Sequence, residues 1–418
     1  MGSVRALHLL VVSSALAPCG CGLLLDLDAP SAAMDGSLPV ADSAPDTLLD
    51  GAAIEDPFLG ARRIAMASRF ACSIEAQAVY CWGSNEYGQI GIAPSAPVPT
   101  PMRVAVPDAV RVYAASADDE AETAEPEANA VCASLELSGA LVCWGLNTGG
   151  VAALPPSSWA PPTRVMLPDA DADAALGGHH ACSVLASHAV WCWGRNTYGQ
   201  LGTGAALDVP APPSVVVGLD ANRIAAGLAH TCAVLRGGGV ACWGRNDSGQ
   251  LGVGAGIDMT ARPMLVAGIT DARDVAAGNR FTCAALMSGR VMCWGQNRYG
   301  ELGVGDTIDH SSPIEVSALG DAAQISAGHE HACVRHWLSS IACWGQNEEG
   351  ELADLALGVY PAPEERPDLV GVPSAGFHAT CMRTVDRSVW CWGLNDQGQL
   401  GDGTFTTRST PAPVPGLP

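Results

Sequence analysis

A Cys-Trp-Gly triplet returns seven times, at Trp82, Trp144, Trp193, Trp243, Trp294, Trp344 and Trp392, with successive separations of 62, 49, 50, 51, 50 and 48 residues. A period near fifty residues held over seven copies dictates a repeat architecture. Each copy is one supersecondary unit that buries its apolar face only against its neighbours. The 418 residues would fill two or three ordinary domains, but the shared phase argues for one ring.

The copy around Cys232 shows what the unit is. Cys232-Ala-Val-Leu235 alternates small and large residues, as a strand with two different faces does. Arg236-Gly237-Gly238-Gly239 is a turn, since glycine accepts positive φ without a Cβ clash. Val240-Ala241-Cys242-Trp243 returns as the second strand, which sets Cys232 opposite Cys242 and Val234 opposite Val240.

The same arrangement pairs Cys72 with Cys81, Cys132 with Cys143, Cys182 with Cys192, Cys283 with Cys293, Cys333 with Cys343 and Cys381 with Cys391. Opposed residues of an antiparallel pair lie roughly 4.5 Å apart, near the short end of what a disulfide accepts. The reading is one disulfide per repeat, using fourteen of the sixteen cysteines. Reduced, buried cysteines acting as small hydrophobes are the alternative. Structural zinc usually wants two cysteines within a few residues of each other, and these lack that spacing.

Around these pairs the text is Ala226-Gly227, His230-Thr-Cys232-Ala, Val240-Ala-Cys242-Trp-Gly-Arg-Asn246, Gly249-Gln-Leu-Gly252 and Pro263-Met-Leu-Val266. This resembles the regulator-of-chromosome-condensation repeat, over residues 61–418. The resemblance implies an all-β fold, a seven-bladed β-propeller of four-stranded blades. Two repeats depart from the pattern. Trp144 is followed by Gly-Leu-Asn-Thr-Gly-Gly-Val-Ala-Ala, and Gly350-Glu351-Leu352-Ala353 has lost its last glycine. Altered loops are expected there. The chain also ends just before the point of the repeat at which it begins, so the tail is expected to complete a blade with the first repeat.

Ahead of the repeats, Ala6 to Ala17 is an apolar run too short to span a bilayer, and Leu16-Ala17-Pro18-Cys19 resembles a lipoprotein cleavage box. Residues 1–19 are read as an export signal with lipidation at Cys19; plain secretory cleavage is the alternative, because proline replaces the usual small residue. Residues 20–60, with uncompensated Asp26, Asp28, Asp35, Asp42, Asp46, Asp50, Glu55 and Asp56, are read as a disordered acidic tether. Export agrees with the cysteine content. A second acidic stretch at 116–127 is read as a solvated loop, since it lacks the spacing of a calcium loop.

The formal charge is −22, from 21 basic and 43 acidic residues. That speaks against nucleic acid as a partner, which requires a basic footprint. No nucleophile elbow, phosphate loop or zinc-protease motif occurs, and no cofactor, metal or catalytic residue is expected. His180, His230 and His331 occupy a slot filled elsewhere by Phe70, Phe281, Ala130 and Ala379, which marks a packing position. The repeated tryptophan is read as interblade packing. Variable aromatics are the interaction candidates: Tyr80, Trp191 and Trp390 before the second cysteine, and Tyr87, Tyr198 and Tyr299 in the loops.

The expected function is that of a monomeric, exported, non-enzymatic scaffold, surface-anchored or secreted, binding a protein or a surface glycan. The alternatives are guanine-nucleotide exchange, implied by the family's nuclear member, and an extracellular polysaccharide lyase or hydrolase.

Overall fold

In each repeat a short innermost strand leads by a tight turn into the second strand, which forms the cysteine hairpin with the third; a proline-bearing fourth strand covers the outside. One repeat runs Ala272–Ala277, Phe281–Leu286, Val291–Gly295, His310–Glu315, every neighbour antiparallel. The computed structural model describes residues 62–115, 129–337 and 340–418, all within one compact unit. Cys19, the tether at 20–60 and the acidic stretch at 116–127 lie outside the described residues.

The described residues form strands and no helix. Five sheets have four strands, and one has seven. The larger sheet arises where Leu207–Ala226 stays extended for 20 residues. Its first part pairs with Ala189–Asn196 and its last with His230–Leu235. It is the outermost strand of one repeat and the innermost of the next. The seven hairpins therefore distribute over six hydrogen-bonded sheets. The run Val215-Val216-Val217 favours this continuity, because β-branched side chains favour extended backbone. The fourth strands carry prolines such as Pro99, Pro161, Pro313 and Pro411, which an exposed sheet edge tolerates and which discourage further pairing.

The hairpin register is the one the spacing predicts: Cys232 faces Cys242 and Val234 faces Val240. In all seven repeats the paired cysteines face each other with Cα atoms 4.1 Å apart and sulfur atoms at bonding distance. Just beyond the second cysteine the pairing to the fourth strand shifts, as between Cys242 and Gly244. Gly244 has φ +104°, and a Cβ there would lie 2.5 Å from the Ala229 carbonyl oxygen. This is why glycine follows the tryptophan.

The seven repeated tryptophans are fully buried. Each indole N–H donates to a carbonyl in the preceding repeat: Trp144 to Gln89, Trp193 to Val151, Trp243 to Gln200, Trp294 to Gln250, Trp344 to Glu301 and Trp392 to Glu351, at 2.7–2.9 Å. Trp82 of the first repeat donates to Gln399 of the last, 2.9 Å. That bond closes the ring.

The closure differs from the expectation. The tail strand Arg408–Pro413 pairs with Val389–Gly393 of its own repeat, while Ile64–Met66 pairs with Phe70–Glu75. No sheet is shared between the two ends. The first described strand is an innermost one and the last an outermost one, and each pairs within its own repeat. The first and last sheets meet through side chains: Met66 and Trp82 pack with Cys381, Leu400 and Val414. Arg383 also grips Glu75 through two hydrogen bonds of 3.2 and 3.0 Å.

Candidate functional site

The innermost strands line a channel along the ring axis, with Ala65, Ala114, Ala175, Ala276, Ser326 and Ser374 among its walls. At one end Arg62 reaches across it. Its guanidinium donates to the Ala174 carbonyl at 2.9 Å and lies 3.3 Å from Asp173. Burial alone would lower its pKa, but the charges of Asp173 and Asp274 raise it above the ordinary value. Burial also pushes the Asp274 carboxyl up. The side chain acts as a bolt between the first repeat and the third.

The three histidines are buried between repeats. His180 Nε2 lies 2.9 Å from Thr231 Oγ1, His230 lies 3.0 Å from Thr282, and His331 lies 2.9 Å from Thr380. Each threonine hydroxyl donates to the carbonyl of Gln200, Gln250 or Glu351, at 2.8–2.9 Å. Its one proton is thereby used, so it accepts from a neutral Nε2–H imidazole. Burial lowers the histidine pKa values to about 3 for His180, about 4 for His230 and about 3 for His331. These are packing residues, as expected, but their threonine partners went unread. The signal was present: Thr231, Thr282 and Thr380 stand one residue before a cysteine only where the preceding repeat has histidine. Ala71, Val131, Ala181 and Ala332 fill that position elsewhere.

The loops after Cys-Trp-Gly share one construction. The asparagine side chain accepts a backbone N–H five residues on and donates across the loop: Asn246 accepts from Leu251, 2.8 Å, and donates to Ile257, 2.6 Å. Asn347 does the same to Leu352 and Ala356, and Asn147 to Ala152 and Pro155. The two departing loops thus keep the common turn, contrary to expectation. Ala153 and Ala353 adopt the positive φ, +55° and +61°, that glycine takes in the other repeats.

These loops stand beside the turns that join the first two strands of each repeat. Arg245 donates its N–H to the Ala229 carbonyl, Arg195 to His179, Gln296 to Arg280, Gln346 to Glu330 and Leu394 to His378, at 2.8–2.9 Å. Backbone geometry therefore gathers side chains from every repeat onto one surface, the turn face.

On it, Arg245 lies over the Tyr198 ring, 4.9 Å from its centroid, and holds Asp247 at 2.8 and 2.6 Å. Arg280 of the next repeat lies 3.7 Å from the same carboxylate. Burial alone would raise the Asp247 pKa, but hydrogen bonds from Arg245 and Gln250 hold it below the usual carboxylate range. Further round, His378 Nδ1 is 2.9 Å from Glu351. Burial pushes the Glu301 carboxyl up to about 7. The charge of Glu330, followed by burial, raises the Tyr299 phenol.

Of the six interaction candidates, Tyr87, Tyr198 and Tyr299 lie half-buried on this face. Tyr80, Trp191 and Trp390 sit on third strands, half-buried within the sheets; Tyr80 and Trp390 pack against hydrophobic clusters, and Trp191 faces Ser183 and Val215. The fold does not bring the six together.

The description "Regulator of chromosome condensation (RCC1) repeat" matches residues 78–118, 187–234, 237–285, 288–335 and 386–418. A second description of the same repeat matches residues 172–200, 222–250 and 272–301. The ultraviolet-B receptor UVR8 of Arabidopsis thaliana is 28% identical over 249 residues, 57% of this chain and 53% of the receptor. The match thus spans about half of that relative's length.

Two solved structures share the fold. Prp20p of Saccharomyces cerevisiae, studied for its binding to Gsp1p and histones, superposes with TM-score 0.71 at 17% identity, covering 86% of this chain and 89% of Prp20p. Human WBSCR16 superposes with TM-score 0.70 at 20% identity, covering 82% and 96%.

Proposed function

For a chain that belongs to the regulator-of-chromosome-condensation repeat family, we propose the role of an exported binding scaffold whose turn face takes a protein partner. The observation that carries this reading is the turn face itself. Every repeat contributes to it through the same backbone bond, and the side chains it gathers include the half-buried Tyr87, Tyr198 and Tyr299. Rigid aromatic anchors framed by charge are what protein interfaces use. A protein-binding role also agrees with the binding of Prp20p to Gsp1p and histones.

Export is part of the proposal. It rests on the apolar 6–17 run, on Cys19 as a lipid attachment point and on seven cysteine pairs placed at disulfide distance, a pairing that an oxidising compartment sustains.

Two experiments test it. Immobilised protein is used to capture a partner from extracytoplasmic extracts, in parallel with a Tyr198→Ala/Tyr299→Ala variant. The proposal expects one protein retained by the native chain and weakened at least tenfold by the variant, and equal retention would overturn it. Non-reduced peptide mapping of protein from its native compartment should give the seven local links, and free thiols would contradict export.

A further inference from the structure

The turn face is electrically divided. In repeats three to five its inner ring carries Arg195, Arg245, Arg280 and Arg298 against Asp247 and the buried carboxyl of Glu301. In repeat six Glu330 and Glu348 stand where repeat five has Arg280 and Arg298, with Glu349 at the position of Tyr299. Tyr299 stands at the boundary, where the Glu330 charge raises its pKa. This is an uneven use of charge in a chain with twice as many acidic as basic residues.

The basic arc is also ordered. Arg245 is 8% exposed, fixed by the Tyr198 ring and by Asp247. Arg280 approaches that same carboxylate from the neighbouring repeat. Asp247 shows what the arc accepts: Arg245 holds its carboxylate by short, directed bonds, and Arg280 adds a second charge 3.7 Å away. Arg195 is half-exposed and Arg298 exposed, one on each side of this seat.

We infer that the arc of repeats three to five recognises an acidic protein segment, its carboxylates lying across Arg195, Arg245, Arg280 and Arg298. The inference rests on the turn face being the binding surface. The acidic side of the face repels such a segment, which fixes the direction in which it lies. A sulfated glycan would also meet the positive charge. The planar carboxylate seat and the flanking Tyr198 and Tyr299 favour a peptide.

The test uses the full chain and three fluorescein-labelled probes: an oligoglutamate peptide, an oligolysine peptide and a heparin oligosaccharide. Binding is read by anisotropy at low salt and at physiological salt. Oligoglutamate should bind with an affinity that falls as salt rises. Arg195→Glu/Arg298→Glu should weaken it at least tenfold, whereas Glu348→Arg/Glu349→Arg should leave it equal or stronger. Arg195 is near the end of the strand Ala189–Asn196 and the other three residues lie on loops; unchanged melting temperatures will certify the fold. If the first pair melts early, Arg195→Gln/Arg298→Gln replaces it, with at least threefold weakening expected. The inference is overturned if oligoglutamate does not bind, if binding ignores the arginine changes, or if only heparin binds. A captured partner that protects the turn face yet ignores Arg195 and Arg298 would refute this inference alone. A partner seated elsewhere would refute the underlying reading.

Discussion

The histidine–threonine contacts make the ring acid-labile in a way that can be calculated. His180, His230 and His331 are neutral in the fold, with pKa values lowered to about 3, 4 and 3 by burial. The unfolded chain takes up protons near pH 6.5. Below that value the unfolded state binds more protons than the folded one, so stability is full above it and is lost as pH falls towards the folded values. Between pH 7 and pH 5 the linkage is about 2 kcal/mol per histidine, or about 6 kcal/mol for three. That is a large part of an ordinary domain's 5–15 kcal/mol, taken as a rough range.

The repeat itself supplies the variant. Phe281 precedes Ala332 where His230 precedes Thr282, so His230→Phe/Thr282→Ala copies a pair already used in the ring. Making the change at all three contacts should remove about 6 kcal/mol of the pH 7 to pH 5 difference, measured by denaturant unfolding at both values. Thr282→Ala alone should cost about 1–3 kcal/mol, because it leaves a buried imidazole N–H without an acceptor. The double change at that contact should recover part of the loss. Equal acid sensitivity in native and fully swapped proteins would refute the reasoning, as would additive effects of the two single changes.

Three further outcomes follow from particular contacts. Gly244→Ala places a methyl against the Ala229 carbonyl at a φ of +104°; it should cost roughly 2 kcal/mol or more, seen as a lower melting temperature. Glu75→Ala leaves Arg383 without its ring-closing partner, the two side chains being 6% and 12% exposed. It should cost about 3 kcal/mol, and Glu75→Met/Arg383→Met should restore much of it. Arg62→Ala removes the guanidinium 3.3 Å from the buried Asp173, whose charge, with that of Asp274, holds the arginine protonated. It should cost about 1–3 kcal/mol at pH 7, seen as a lower melting temperature.

The sequence made the hairpins legible because two local signals agreed. Spacing near ten set Cys232 against Cys242, and the glycine turn left no other register. The tryptophan contacts were readable for the same reason, since one residue type recurred at one place in every copy. Repeat phase alone does not distinguish a blade shared by the two ends from two complete sheets. The first described strand, Ile64–Met66, is innermost and the last, Arg408–Pro413, outermost, and each completes a four-stranded sheet of its own repeat. The loops at Ala153 and Ala353 were expected to differ because a glycine was missing; the asparagine bonds outweigh the cost of positive φ in alanine. The charged arc could not be read in advance. Arg195, Arg245 and Arg280 lie 50 and 35 residues apart, and only the order of repeats around the ring makes them neighbours.

The most direct test of recognition on the turn face is hydrogen–deuterium exchange of the protein with its captured partner. The account predicts slowed exchange at residues 195–200, 245–250 and 296–301, with residues 236–239 and 287–290 at the opposite ends of the hairpins unchanged. Protection confined to those hairpin ends, or to outermost strands such as Met259–Leu265, would contradict it.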